Sequence, residues 1–261
     1  MLSLQNQNKP MKKSILLLLT ILASGLCLAQ EEEPALSADR PGYTWGTEVL
    51  HLHKVSWENG FCFESLPDGA YSMTMNSTIV RYGIFNNVEL RVGTDFLLSS
   101  ERQAEHALAM APLTIGTKLK VYEGTEWLPS IGLLAEFQSP HVGSKELLPS
   151  HIAPSMYLLF EHEIGDLFWL NYNTGLIWDG ETAVPQIFLS LALGCYFTDN
   201  LGIFIDFYNY LHPIDGNQYM TKFGIAWMPS RRLQLDLECD LDFQNFGRYF
   251  AVGCGVAWML N

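Results

Sequence analysis

Leu233-Gln-Leu-Asp-Leu-Glu-Cys-Asp-Leu-Asp-Phe243 alternates without a fault. Leu233, Leu235, Leu237, Cys239, Leu241 and Phe243 take the odd positions, and Gln234, Asp236, Glu238, Asp240 and Asp242 the even ones. Successive side chains of a strand point to opposite faces, whereas a helix would scatter these around its circumference, so the stretch is a strand with one apolar and one polar face. Such a strand separates two media. In a soluble sandwich the polar face meets water and the apolar face a core; in a membrane barrel the apolar face meets lipid and the acids line the lumen.

The same pattern recurs along the chain. Val88, Leu90, Val92 and Phe96 oppose Glu89, Arg91, Gly93 and Asp95, while Ile115, Leu119 and Val121 oppose Gly116, Lys118 and Lys120. Ile187, Leu189, Leu191 and Leu193 oppose Ser190, Ala192 and Gly194, and Val252, Val256 and Trp258 oppose Ala251, Gly253, Gly255 and Ala257. Small inward residues suit a barrel whose interior is filled by longer side chains from neighbouring strands. Twelve strands are predicted, over 54–64, 71–83, 88–98, 112–122, 128–139, 152–163, 167–178, 186–198, 201–211, 218–228, 232–243 and 248–258. Most lie near the ~9–11 residues that a tilted strand needs to cross a bilayer. Short turns (Phe85 to Asn87, Glu123 to Trp127, Ile164 to Asp166, Thr198 to Asn200, Met228 to Arg231) alternate with longer polar links at 65–70, 99–111, 140–151, 179–185, 212–217 and 244–247. An even strand count with alternating short and long connections predicts an all-β, antiparallel up-and-down transmembrane barrel, with tight turns in the periplasm. Trp45, Trp57, Trp127, Trp169, Trp178, Trp227 and Trp258, with Tyr82, Tyr122, Tyr172, Tyr210, Tyr219 and Tyr249, fall near strand ends and read as interface girdles.

The chain's beginning fits this destination. Lys12-Lys13 followed by an apolar run to Ala29 has the form of a signal peptide over residues 1–29, and the run is shorter than the ~20 residues of a spanning helix. Cleavage removes three lysines and no acid from a chain of net charge -13, so the mature protein carries 12 bases against 28 acids, net -16. That sign argues against nucleic acid as a partner. Residues 30–53 form an N-terminal periplasmic segment and 54–261 the barrel. The expected partners are outer-membrane lipid, the assembly machinery and a small solute, in the outer membrane of a Gram-negative bacterium.

Several stretches resemble the outer-membrane β-barrel family named for the MetA pathway of phenol degradation. They are Asp39-Arg40-Pro41-Gly42, the hairpin from Val80 through Arg81, Asn86-Asn87 and Arg91 to Gly93, Gly116 to Lys120, Asn171 to Gly175, Phe204 to Tyr208, and Leu233 to Asp236 before the glycine-rich last strand. The resemblance spans nearly the whole mature chain and implies a transporter-like barrel that passes small molecules.

Strand parity predicts a polar lumen lined by Arg81, Glu89, Arg91, Asp95, Lys118, Lys120, Asp206, Lys222, Asp236, Glu238 and Asp240. Bases gather on the early strands and acids on the penultimate one, a transverse field suited to orienting a charged solute. Asp39 and Arg40 are expected to plug the periplasmic mouth, with Arg40 meeting a lumen acid. No cofactor, catalytic set or metal site is predicted. His51-Leu52-His53 would put two rings on one face if extended but lacks a third ligand, and Cys62, Cys195, Cys239 and Cys254 read as small hydrophobes. A non-conducting structural or adhesive barrel and an outer-membrane hydrolase are the alternatives to a channel.

Overall fold

The structure, a computed structural model, describes residues 35–66, 69–100, 108–213, 216–242 and 249–260. The expected leader, the acids behind it, Asn261, parts of three links (65–70, 99–111, 212–217) and the whole of the link 244–247 lie outside the described residues. The strands are β1 (Val55–Ser65), β2 (Tyr71–Phe85), β3 (Val88–Ser99), β4 (Leu108–Met110), β5 (Thr114–Tyr122), β6 (Ser130–Gln138) and β7 (Ala153–Ile164), followed by β8 (Phe168–Ile177), β9 (Gln186–Thr198), β10 (Leu201–His212), β11 (Gly216–Ser230), β12 (Leu233–Asp242) and β13 (Phe250–Leu260). Neighbours pair antiparallel, and β13 returns to β1 from Val55↔Leu260 to Ser65↔Phe250. The sheet closes, leaving no long unpaired edge.

The thirteen strands make a twelve-stranded barrel because β4 and β5 are one stave. β3 pairs with both, Phe96 opposite Met110 and Gly93 opposite Thr114, so two residues of β3 face the three residues 111–113. That is a bulge, and Pro112 sits in it, where a missing N–H costs no ladder bond. The bend is held by Ala111 N–H donating to Asp95 O (2.8 Å) and Thr94 Oγ1 donating to Ala111 O (2.9 Å). One expected long link is partly taken up by strand: β10 and β11 pair as far as His212↔Gly216, with Gly216 at φ 90°.

Outside and inside are exchanged relative to a water-soluble protein. Leu90, Val92, Leu189, Leu191, Leu193, Leu235 and Leu237 on the outer wall are between 39% and 60% exposed, whereas Arg81, Glu89, Lys118 and Asp206 on the inner wall are at most 1% exposed. An apolar surface of that extent requires a nonaqueous medium. Trp57, Trp127, Trp227 and Trp258 stand on it as expected of girdles, but Trp45, Trp169, Tyr210 and Tyr249 turn inward, as their contacts below show.

Candidate functional site: the occupied barrel interior

Residues 36–50 run inside the barrel. Leu36 N–H donates to Arg231 O (2.7 Å) in the tight turn after β11, and Leu50 N–H donates to Glu89 (2.9 Å) near the tight-turn end of β3. Between these points the segment touches walls all round: Asp39 meets β3 and β5, Arg40 meets β12, Thr44 meets β10 and Thr47 meets β7. Only a segment threaded into a closed barrel reaches every side. Its two ends, Leu36 and Leu50, pack with Ala257 and Met259 in a small apolar cluster, an anchor at the tight-turn mouth.

The half of the wall formed by β1–β3, β5 and β12 holds the segment by charge. Arg81 spans Glu58 (2.7 Å) and both oxygens of Glu89 (2.8 Å each), and donates to Ser37 O. Asp39 accepts from Arg91 and from Lys118 at 2.7 Å each, while the Asp39 and Arg40 N–H groups donate to Glu58. Arg40 points the other way, to Asp236 at 3.0 Å and Glu238 at 3.7 Å. Adjacent opposite charges thus lie across the interior with Asp39 toward the bases of β3 and β5 and Arg40 toward the acids of β12. Burial opposes ionisation of Asp39, but Arg81, Lys118 and Arg91 outweigh it and hold its carboxyl well below the usual carboxylate range. The same balance, burial against Asp236 and Glu238, keeps Arg40 charged. Its guanidinium fits because Gly60 and Gly255 present no side chain; a Cβ at either would overlap it.

On β10, Asp206 accepts from the Tyr43 and Thr44 N–H groups (2.8 and 2.9 Å) and from the Thr44 hydroxyl. Glu161 does the same for Thr47 N–H and hydroxyl (2.7 and 2.9 Å). Lys222 pairs with Glu238 (2.7 Å) and Asp240 (3.4 Å) and stands 4.5 Å over the Tyr43 ring.

The opposite half, β6 to β10, is aromatic apart from Glu161 and Asp206. Register sets Leu134, Tyr157, Gly175, Phe188 and Tyr210 in one inward row and Leu159, Asn173, Ser190 and Tyr208 in the next. Leu134, Tyr157, Leu159, Phe188 and Tyr208 form a buried cluster into which Trp45 inserts, its ring 4.9 Å from Tyr157 and 6.0 Å from Phe188. A wall read from its ionisable residues alone misses this cluster. The signal was present, since the parity that puts Glu161 and Asp206 inside puts Tyr157, Leu159 and Tyr208 inside too.

The structure brings Arg81, Glu89, Arg91 and Lys118 together around Asp39, and Asp236 and Glu238 around Arg40, with Lys222 and Asp240 adjoining. Asp206 stands apart beneath Thr44, Lys120 lies at the tight-turn mouth against Glu48 and Glu123, and Asp95 lines the cavity above Arg40. Residues 51–53 form a turn with His53 at φ 62°, so the two histidines are not on an extended face, and His53 Nδ1 lies 3.1 Å from the Tyr82 hydroxyl. Among the described residues no three-ligand metal cluster occurs, and Cys62, Cys195, Cys239 and Cys254 are free.

Cavities lie on both sides of the segment. One of about 310 Å³, toward the long links, is lined by Asp39, Arg40, Tyr43, Asp95, Glu136 and Glu238 among others, and adjoins one of about 110 Å³ bounded by Glu64, Tyr208 and Tyr249. Another of about 400 Å³ opens at the tight-turn mouth between Leu36 to Arg40 and Glu161, Trp169 and Tyr196.

A closed antiparallel barrel that is apolar outside and ionised inside has the fold of a porin-like outer-membrane protein. The chain belongs to the family described as "Putative MetA-pathway of phenol degradation", whose profile matches residues 38–260. It is similar in structure to an outer membrane channel from Pseudomonas putida F1, at 13% identity over 82% of this chain and 98% of that one, with a TM-score of 0.61. The KdgM porin in complex with disordered oligogalacturonate follows at 10% identity, 79% and 99% coverage and a TM-score of 0.58. The NanC porin matches at 10% identity, 78% and 98% coverage and a TM-score of 0.52. At these identities the likeness is one of fold. No curated protein sequence matches the chain.

Proposed function

We propose that the protein is a channel of the Gram-negative outer membrane that passes small solutes and is closed in this conformation by residues 36–50. The observation that carries this reading is the segment itself, which meets β3, β5, β7, β10 and β12 from within and separates cavities on its two sides. A structural barrel has no need of a removable core attached by its own N-terminal approach. The tight turns face the periplasm, lipid and the assembly machinery are the partners, and transport requires no catalytic group. When the segment withdraws, Arg81, Arg91 and Lys118 line one wall and Asp236, Glu238 and Asp240 the other, leaving a transverse field for the solute to cross.

Planar-bilayer recording tests this. The refolded mature chain should show small or infrequent current steps, and deletion of residues 30–50 should give larger, persistent ones whose ion selectivity shifts when Asp236, Glu238 and Asp240 are neutralised. A closed barrel, verified by heat-modifiable gel mobility, that carries no current with residues 30–50 deleted would make it a non-conducting structural barrel.

A further inference from the structure

The cavity of about 400 Å³ at the tight-turn mouth has the size of a small-molecule site and carries charge that the segment does not match. Among the described residues lining it, Arg40 is the only base, and its guanidinium turns away to Asp236 and Glu238. Two of its acids are already neutralised, Asp39 by Arg91 and Lys118, and Glu48 by Lys120. Glu161 and Glu163 meet no base among the described residues. Thr47 engages only Oε2 of Glu161, and Glu163 is exposed.

The wall beside these acids also favours a positive guest. In the register Glu163, Trp169, Gly194, Phe204 and Gly224 form one inward row, and Glu161, Asn171, Ala192 and Asp206 the next. The Trp169 ring lies over Gly194 and the Phe204 ring over Gly224, where a Cβ would overlap it, so both rings lie along the wall, 6.4 Å apart and 31° from parallel. Rings laid along a wall turn a face inward, and the face is the electron-rich side of an aromatic ring. Asn171 is 7% exposed, lines the same cavity, and its carboxamide oxygen has no hydrogen-bond partner. That carboxamide and Glu161 converge beside Gly46 of the segment: a Cβ there would lie 2.9 Å from Glu161 Oε2 and 3.5 Å from the Asn171 amide nitrogen. The terminal torsion of asparagine is soft, so the oxygen can turn to a donor in the cavity.

We propose that this cavity binds an organic ammonium ion with a short alkyl arm, and that the bound ion keeps the segment seated. Glu161 and Glu163 supply the counter-charge, Asn171 Oδ1 accepts an N–H, and Trp169 and Phe204 offer their faces to the charge and the arm. A bare metal ion fits less well, because among the described residues no group of three His, Cys, Asp or Glu ligands converges to hold one. One side of the cavity is the segment, from Leu36 to Gly46, and the other is the barrel wall. Withdrawal of the segment removes one side of the site, so the ion binds the closed state and by mass action favours it.

The hold on the segment rests on the channel reading; the binding itself does not. n-Butylammonium chloride is titrated against the refolded mature chain in non-ionic micelles by saturation-transfer NMR at fixed ionic strength, with barrel closure of each variant verified on gels. Trp169→Leu should weaken binding at least about fivefold, the loss of a ring face under a cation. Glu163→Gln, at an exposed position where the fold does not depend on the charge, should weaken it about threefold. Deletion of residues 30–50 should cost more than either, and calcium at equal concentration should not displace the ion. Added on the tight-turn side of a planar bilayer at about ten times its dissociation constant, n-butylammonium should make wild-type current steps about tenfold rarer and leave those of the deletion variant unchanged. Affinity unaltered by Trp169→Leu or by Glu163→Gln, or displacement by calcium, overturns the site while leaving a conducting channel intact. Binding that survives the deletion, or current steps that ignore the ion, overturns its hold on the segment. Binding as expected in a barrel that never conducts would instead overturn the channel and keep the site.

Discussion

Along β3, β5 and β12 the segment is held by ion pairs at 2.7–3.0 Å, whereas along β7 and β9 its Trp45 is held by ring contacts at 4.9–6.0 Å. The charged half tolerates little: each ion there has been taken out of water and depends on named partners. The aromatic half is permissive, because dispersion and ring contacts decline gradually and a different ring could take the same place. One wall therefore holds the segment by ion pairs and the other by ring packing. Substitutions on the two walls should fail in different ways.

The largest effect is expected at Arg81, which is fully buried between Glu58 and Glu89. Arg81→Met leaves both carboxylates buried without their cation, a loss of about 3–5 kcal/mol. It should lower the temperature at which the barrel shifts on a gel and reduce refolding yield. A variant as heat-stable as wild type would mean water, not Arg81, neutralises these acids.

Next come the two plug charges. Asp39→Asn strips Lys118 and Arg91 of a counter-ion at 2.7 Å, and a charge-assisted hydrogen bond contributes about 1.5–3 kcal/mol. The barrel should remain closed while the plug loosens, read as more frequent conductance steps. Gly255→Val should act likewise from the wall side, since its side chain takes the space of the Arg40 guanidinium. If both variants conduct like wild type, the segment is not what limits passage.

Acidification separates the walls without mutation. A carboxylate whose folded pKa is depressed contributes stability that is present above its unfolded pKa, near 4, and lost only as pH falls through the lower folded value. Asp39 is shifted in that direction, so its hold should be unchanged between pH 7 and pH 5 and begin to weaken only below about pH 4. Conductance that rises steeply between pH 7 and pH 5 would show that another group governs seating.

Much of this architecture was legible because membrane barrels write their two faces in strict alternation. Leu233 to Asp242 declared both its faces, and the β2–β3 hairpin carried Arg81 and Arg91 into a family pattern. The extra strand β4 was not legible, since three residues at 108–110 pair only because Pro112 bends the stave. The aromatic half was legible only through the parity that Tyr157 and Leu159 share with Glu161, and Tyr208 with Asp206. Tyr210 and Trp169 lie near strand ends, and sequence position alone does not separate a ring facing lipid from one facing inward; parity does, once the exact strand start is known. Trp45 lies before the barrel, so only the path of the segment reveals that it ends beside Phe188.

The smallest change expected is also the one that most sharpens the contrast between the walls. Asn173→Leu replaces a buried carboxamide with no partner by an apolar group of similar size, next to Leu159 in the register. Replacing an unsatisfied polar group in this way removes a desolvation penalty, so the plugged barrel should become more stable by about 1 kcal/mol, measured by urea denaturation in micelles. On the charged wall the equivalent change, Glu89→Leu, should destabilise, because Arg81 and the Leu50 N–H both rely on that carboxylate. A loss of stability in Asn173→Leu would mean that the carboxamide is hydrated or bonded in the seated state. The aromatic wall would then be holding its plug as specifically as the charged one.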